Sequence, residues 1–182
     1  MHLHFTPFPV LSTSRLHLRQ LTSADVDEIF FFRTDERMLK FINRPKAESL
    51  EDARSFIEKI SGGIARNEWI YWGITLQGSD KLIGTICLWN IYPAEEKAEI
   101  GYELHPDFQG QGLMQEAIVK VMKYAFDTMQ VREIEALLRS DNLRSVRVLE
   151  RSGFHYVRLL TEEEKYEDEK EIEVVVYAKK GS

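Results

Sequence analysis

The sequence predicts one α/β domain spanning residues 1–182, with a single mixed, mostly antiparallel sheet of about seven strands and about four flanking helices. Short segments rich in β-branched and aromatic residues recur along the chain and predict the strands. Amphipathic segments with helix-capping residues lie between several of them. No internal repeat and no linker divides the chain, so one domain with one core is expected.

The strands are placed by their alternation of apolar and polar residues and by the turns that bound them. Residues 77–80, Gln-Gly-Ser-Asp, form a turn signal between two such segments, which predicts a β-hairpin. The predicted strands cover residues 15–19, 69–76, 81–89, 97–104, 131–138, 154–160 and 172–178.

Two helices are predicted in the first third of the chain from their capping signals. Thr22 or Ser23 can cap the first helix. Ser49 opens the second, which runs to about Arg66 and carries acidic residues near its start. The paired glycines at positions 62 and 63 are expected to interrupt its late part.

Two further helices are predicted in the second half. Apolar residues recur every three or four positions from Leu113 to about Met129, which is the longest amphipathic pattern in the chain. Asp141 or Asn142 caps a shorter helix that should end at Gly153, a residue type suited to the left-handed position after a helix.

Composition and charge argue against nucleic-acid-binding, membrane-spanning and disulfide-stabilised classes of protein. A formal net charge of −6 argues against broad nucleic-acid binding, and no apolar run approaches the ~20 residues of a membrane span. The opening residues lack the pattern of a signal peptide. The single cysteine, Cys87, excludes an intrachain disulfide and reads as a buried structural thiol. His2 and His4 have no partner cluster, so no metal is expected, and the protein is expected to be soluble and cytoplasmic.

Residues 99–117, EIGYELHPDFQGQGLMQEA, predict an anion site. The backbone N–H groups of a helix N-terminus have no internal partner, and Gly110 and Gly112 let a phosphate approach them. A P-loop would need Gly-Lys-Ser/Thr, but Leu113 follows the glycines. A dinucleotide-binding fold would need a third glycine, and Gln115 stands there.

Three stretches in this order resemble the GNAT superfamily of acetyl-CoA-dependent N-acetyltransferases: YWGITLQGSDKLIGTICLWNI, AEIGYELHPDFQGQGLMQEA and DNLRSVRVLERSGF. The chain is most similar to the Rim-type enzymes, which acetylate the N-terminal amines of ribosomal proteins, and to their bacterial relatives. The resemblance implies the GNAT fold, acetyl-CoA as co-substrate, no metal, an amine acceptor and, as in many relatives, a homodimer.

The resemblance also implies where coenzyme A binds. The loop motif Q/R-x-x-G-x-G/A has both glycines here, but its first position is Asp107. The coenzyme pyrophosphate is expected at the backbone N–H groups of Gln109, Gly110, Gln111, Gly112, Leu113 and Met114. The pantetheine arm is expected along Tyr102, Glu103 and Leu104, as an added strand would lie, with Asn142 near it.

For catalysis, acetyl transfer needs a neutral amine, a stabilised carbonyl oxygen and a thiolate that can leave. Glu99 is the predicted base, directly or through a water, with Glu103 as the alternative. A backbone N–H near Glu103 or Leu104 is expected to stabilise the carbonyl oxygen. The family's usual tyrosine proton donor is replaced by Leu149. Ser145 could donate the proton or orient a water, or the thiolate could leave without a dedicated acid.

Two other functions stay open at this point. One is a small-amine acetyltransferase acting on a polyamine, an amino acid or an antibiotic, and the other is a coenzyme A-binding module without turnover. An acidic segment, residues 162–171, either favours a cationic acceptor or is a solvated loop. Arg144, Arg147 and Arg151 either meet the 3′-phosphate of coenzyme A or form the solvated face of their helix.

Overall fold

The computed structural model describes residues 1–165 and 171–181. In that part of the chain the strands are β1 (Leu11–Ser12), β2 (Leu16–Arg19), β3 (Ile70–Leu76), β4 (Leu82–Tyr92), β5 (Lys97–Leu104), β6 (Glu133–Arg139), β7 (His155–Leu159) and β8 (Val174–Lys180). They form one sheet in the order β1-β2-β3-β4-β5-β6-β8-β7. Only the β5–β6 pair is parallel, which confirms the mixed, mostly antiparallel sheet. The strand beyond the predicted seven is β1, whose two residues are too few to show an alternating pattern.

The helices in the same residues are α1 (Val26–Phe32), α2 (Glu36–Leu39), α3 (Leu50–Ala65), α4 (Leu113–Tyr124) and α5 (Leu143–Arg151). The sequence did not predict α2, which is a single turn capped by the Asp35 side chain. Within the described residues, no helix is long and apolar enough to cross a bilayer.

The predicted helix caps are present. Thr22 and Ser49 each form a reciprocal capping box with an aspartate three residues later. Asn142, rather than Asp141, caps α5 by accepting a hydrogen bond from the Ser145 N–H at 3.2 Å. Gly153 follows α5 with φ at 86°, the left-handed conformation that glycine adopts without strain.

Two details of the predicted helices are different in the structure. The helix expected to reach Met129 is α-helical only to Tyr124, and Ala125–Met129 forms a π-helical turn. The glycines at 62 and 63 do not interrupt α3. Gly63 instead faces an indole, because a Cβ built there would lie 2.0 Å from ring atoms of Trp69. This glycine is required by close packing and does not break the helix.

Each face of the sheet carries its own helices. Trp72 of β3 packs edge-on against Tyr124, and its neighbour Tyr71 packs edge-on against Phe56 of α3. Successive side chains of a strand point to opposite faces. The strand register therefore places Tyr102 on the α4 face, and Glu99 and Glu103 on the α3 face.

Strands β5 and β6 part midway along β5. Their parallel ladder joins Lys97, Ala98 and Glu99 to Glu133–Glu135 and extends no further. Beyond this point β6 continues to pair with β8, and β5 continues to pair with β4. The sheet therefore opens next to Glu99, and backbone groups on the inner edges of both strands are left without a strand partner there.

Gly63→Ala should destabilise the protein by about 1–3 kcal/mol, because the added methyl group overpacks the Trp69 ring. Gly62→Ala is the matched control one position earlier. A Cβ at Gly62 would meet the flexible end of Arg66 at 3.2 Å, and alanine favours the helix over glycine by about 1 kcal/mol. Chemical denaturation of both variants checks this, and equal destabilisation by the two substitutions would contradict it.

Candidate active site beside the parted strands

A loop with two left-handed glycines connects β5 to α4. Gly110 and Gly112 both have φ at 77°, a conformation that costs other residues roughly 1–2 kcal/mol. Gly112 is the N-cap of α4, and no side chain caps that helix. The first N–H groups of α4 are thus left for water or an anion, at the positive end of the helix dipole.

Side chains between β1 and β2 hold the loop that precedes α4 in place. The Arg15 guanidinium donates to the Gln111 carbonyl at 2.9 Å and to the Glu116 carboxylate at 2.7 Å. The Thr13 hydroxyl donates to the same carboxylate. Burial alone would raise the pKa of Glu116, but these hydrogen bonds lower it overall. The Glu116 carboxyl group is therefore ionised at neutral pH.

Asp107, which stands where the family motif has Gln or Arg, lies on the surface. Its side chain is 74% exposed, and its N–H donates to the His105 ring at 3.2 Å. Gln109 instead ties the loop to the strand, since its side-chain amide donates to the Leu104 carbonyl at 2.8 Å. Losing the usual Gln or Arg at position 107 therefore leaves the backbone geometry of the loop intact.

The predicted base lies at the last rung of the β5–β6 ladder. Glu99 is half-buried, and burial raises the pKa of its carboxyl group. A hydrogen bond from Asn90 opposes this rise, and the nearby Glu135 adds to it. Asn90 has φ at 41° and lies at an irregularity of β4, which turns its side chain toward Glu99.

Glu103, the alternative base, is already engaged. Its carboxylate accepts from the Arg44 guanidinium at 2.7 and 3.4 Å and from the Thr85 hydroxyl at 3.3 Å. Tyr71 in turn donates to Thr85 at 3.0 Å. Both carboxylate oxygens of Glu103 are thus occupied by donors from within the protein, so the geometry favours Glu99 over Glu103 as the base.

A tyrosine does lie beside Ser145, although it comes from β5. The hydroxyl groups of Tyr102 and Ser145 share a hydrogen bond of 2.6 Å across the opening of the sheet. Burial raises the pKa of Tyr102 to about 12, so its hydroxyl is protonated at neutral pH. Leu149, at the position where the family usually has its tyrosine, is fully buried in the core. The sequence assigned Tyr102 to coenzyme binding only; strand parity places Tyr102 on the face opposite Glu99 and Glu103, and the contact with Ser145 is seen only in the structure.

The remaining predicted groups differ in exposure. The three arginines of α5, at positions 144, 147 and 151, are exposed. Burial raises the pKa of Cys87 to about 12, in keeping with a structural thiol. The described residues contain no group of three potential metal ligands. The acidic segment 162–171 falls partly outside the described residues, which stop at 165 and resume at 171.

Comparison with known proteins identifies the family. The model of the acetyltransferase (GNAT) domain matches residues 15–155. The N-acetyltransferase YoaA of Bacillus subtilis (strain 168) is 35% identical over 147 residues, which are 81% of this chain and 83% of that protein. The ribosomal-protein-serine acetyltransferase of Escherichia coli (strain K12) is 36% identical over 75 residues, 41% of this chain and 42% of that protein.

Solved structures share the fold over nearly the whole chain. The ribosomal L7/L12 α-N-protein acetyltransferase RimL, in complex with coenzyme A, superposes with a TM-score of 0.83. The match covers 94% of this chain and 98% of RimL at 22% identity. The family match, the homologues and the fold agree. The chain belongs to the GNAT acetyltransferase family and is an acetyl-CoA-dependent N-acetyltransferase.

Proposed function

We propose that the acceptor is the N-terminal α-amine of a protein, such as a ribosomal protein. The observation that carries this proposal is the half-buried Glu99 carboxylate, whose pKa is raised, at the point where β5 and β6 part. An α-amine has a pKa of about 7.7–8, against about 10.4 for lysine, so a carboxylate base suffices for it near neutral pH. The partial match to a ribosomal-protein-serine acetyltransferase supports the same class of acceptor.

The residues present fit acetyl-CoA. Gly110 and Gly112 present backbone N–H groups without side chains, and the uncapped start of α4, at Leu113 and Met114, can accept a pyrophosphate. The edge of β5 at residues 102–104 lies along the opening of the sheet, where a pantetheine arm can pair as an extra strand would. Asn142 and Ser145, at the start of α5, border the opposite side.

Glu99 is the proposed general base that deprotonates the acceptor amine. Its carboxylate takes a proton from the ammonium form of the acceptor, directly or through one water, so that a neutral amine can attack the acetyl carbonyl. Burial brings the pKa of Glu99 nearer to that of an α-amine, which makes the transfer less uphill. In this proposal a backbone N–H near Glu103 or Leu104 stabilises the carbonyl oxygen as negative charge develops on it.

The leaving thiolate can be protonated by the hydroxyl pair. Ser145 faces the opening of the sheet, and Tyr102 lies behind it at 2.6 Å with its proton retained at neutral pH. Ser145 donates its proton to the thiolate as the C–S bond breaks and takes the Tyr102 proton in its place, and the Tyr102 hydroxyl regains a proton from solvent. A thiol with a pKa of about 8.5 is already a tolerable leaving group, so this assistance is modest.

An acceptor screen tests the proposed acceptor. Release of coenzyme A thiol from acetyl-CoA is measured with peptides matching ribosomal-protein N-termini, with the same peptides blocked at the α-amine, and with polyamines and free amino acids. Turnover that requires a free peptide α-amine supports the proposal. Preferential turnover of polyamines or amino acids would assign the chain to small-amine acetylation instead.

Glu99→Gln should lower kcat/KM by about 10²–10⁴-fold, because the amide cannot accept the proton. In the wild-type protein, kcat/KM should fall at acid pH as Glu99 is protonated, with a pKa above that of an ordinary glutamate. This fall should disappear in the variant. Since a raised pKa means that the charged form is disfavoured in the folded protein, the variant should also melt at a higher temperature at pH 7. Glu95→Gln, at an exposed position in the β4–β5 turn, is the control and should change neither property. Full activity of Glu99→Gln at pH 7 would remove Glu99 as the base.

Ser145→Ala and Tyr102→Phe should each lower kcat, by no more than about 10²-fold, with little change in the KM for acetyl-CoA. The double variant should lose little beyond Ser145→Ala alone, because the two hydroxyl groups act in series. Tyr124→Phe, which removes a hydroxyl on the same face of the sheet, is the control. Pre-steady-state thiol release measures the step, and strictly additive losses would contradict a coupled pair.

A further inference from the structure

Two guanidinium groups lie near one carboxylate on the α3 face of the sheet, and only one of them is paired with it. Arg44, in the segment between α2 and α3, donates to Glu103 at 2.7 Å and to the Phe32 carbonyl at 2.6 Å. The side chains of this ion pair are only 16% and 7% exposed. Arg33, the residue that follows Phe32, brings a second positive charge to the same place.

The Arg33 side chain has no ion-pair partner among the described residues. It is half-buried, with its guanidinium carbon 4.4 Å from the centre of the Phe56 ring. Within residues 1–165 and 171–181 the guanidinium makes no hydrogen bond and no ion pair. Burial and the charge of Arg44 both lower the pKa of Arg33, and Glu103, Tyr71 and Asp52 only partly oppose this. The cluster therefore carries an unbalanced positive charge.

Arg44 adds an unsatisfied donor. Its Nε–H is the one buried side-chain polar atom of the described residues that lacks a hydrogen-bond partner. Leaving a buried donor unpaired costs about 1–3 kcal/mol, and native proteins rarely leave one without an ion, a water or a ligand to accept from it. The Arg44 guanidinium therefore keeps one buried donor that its contacts with Glu103 and Phe32 do not use.

The cluster lies on the side from which an amine would reach Glu99. Glu103 and Glu99 point to the same face of β5, four residues apart, which is about 13 Å along a strand. The two ends of this face differ in charge, since Glu99 and Glu135 lie at one end and Arg33 and Arg44 at the other. A molecule that spans the face meets carboxylates at its amine end and guanidiniums at its far end.

We propose that the Arg33 guanidinium, beside the buried Arg44–Glu103 ion pair, binds an oxyanion on the acceptor, so that the preferred acceptor carries a carboxylate or phosphate some three or four residues from its reactive amine. The guanidinium fork matches both oxyanions in geometry. The acceptor position assumes the acetyl transfer at Glu99 proposed above. Within a peptide, the oxyanion belongs to an acidic or phosphorylated side chain.

The test uses N-terminal serine peptides in matched pairs. Each pair carries one Asp or one Asn, at position two, three, four or five, and a further peptide carries phosphoserine in place of Asp. Both thiol release from acetyl-CoA and calorimetric binding to the protein with coenzyme A are measured. The variants are Arg33→Met, which keeps an apolar stem against Phe56, Arg33→Lys, and Arg54→Met as an exposed control on α3.

The wild-type protein should prefer Asp over Asn by about 10–100-fold in kcat/KM at one position, as expected for a charge-assisted hydrogen bond. Arg33→Met should abolish this preference by raising KM for the Asp peptide, with kcat for the Asn peptide unchanged. Arg33→Lys should keep part of the preference, and Arg54→Met all of it. The phosphoserine peptide shows whether phosphate or carboxylate is the better ligand.

Equal kcat/KM and equal binding of Asp, Asn and phosphoserine peptides at every position would overturn the proposal, as would a preference that survives in Arg33→Met. Failure of the proposed function gives a different result. In that case no peptide releases thiol, while calorimetry still shows binding that depends on both Asp and Arg33. Melting curves of Arg33→Met confirm that the variant is folded in either case.

Discussion

The parting of β5 from β6 after Glu99 is the constraint on which the site depends. A closed ladder would satisfy every backbone group and leave no place for an extended ligand. The opening leaves strand edges that an extended arm can pair with. The alternation of β5 then separates the functional side chains, because Glu99 and Glu103 face α3 whereas Tyr102 faces α4 and α5. One strand thus supplies side chains to both faces of the sheet at the same opening.

The loop that follows β5 depends on contacts from outside it. Its two left-handed glycines permit the turn, but glycine lowers rigidity because it is free to adopt other conformations. The contacts of Arg15 with Gln111 and Glu116 restore that rigidity from the first hairpin. A helix start that is uncapped yet fixed in position can bind an anion without first having to be ordered, which lowers the cost of binding.

The sequence predicted the features that local signals encode. Caps at Ser49 and Asn142 and the left-handed Gly153 follow from residue type and spacing, and the structure has all three. The prediction that Gly63 interrupts its helix was wrong. This glycine makes room for the Trp69 ring, and the position of that ring is not encoded in the local sequence. The unpredicted site contacts join residues 43 to 101 positions apart, which no local pattern reveals: Tyr102 with Ser145, Arg44 with Glu103, and Arg15 with Glu116.

Glu99 and Glu103 of β5 are the same residue type on the same face of the sheet, but their neighbours differ. Glu99 has an amide and another carboxylate beside it, so burial disfavours its charge and prepares it to accept a proton. Glu103 has a guanidinium at 2.7 Å and a hydroxyl at 3.3 Å, which occupy its two carboxylate oxygens. Glu103 pairs with Arg44, whereas the Arg33 guanidinium has no ion pair in the part of the chain that the structure describes. The contact with Arg44 therefore sets Glu103 apart from Glu99 and leaves Arg33 available for an acceptor's oxyanion.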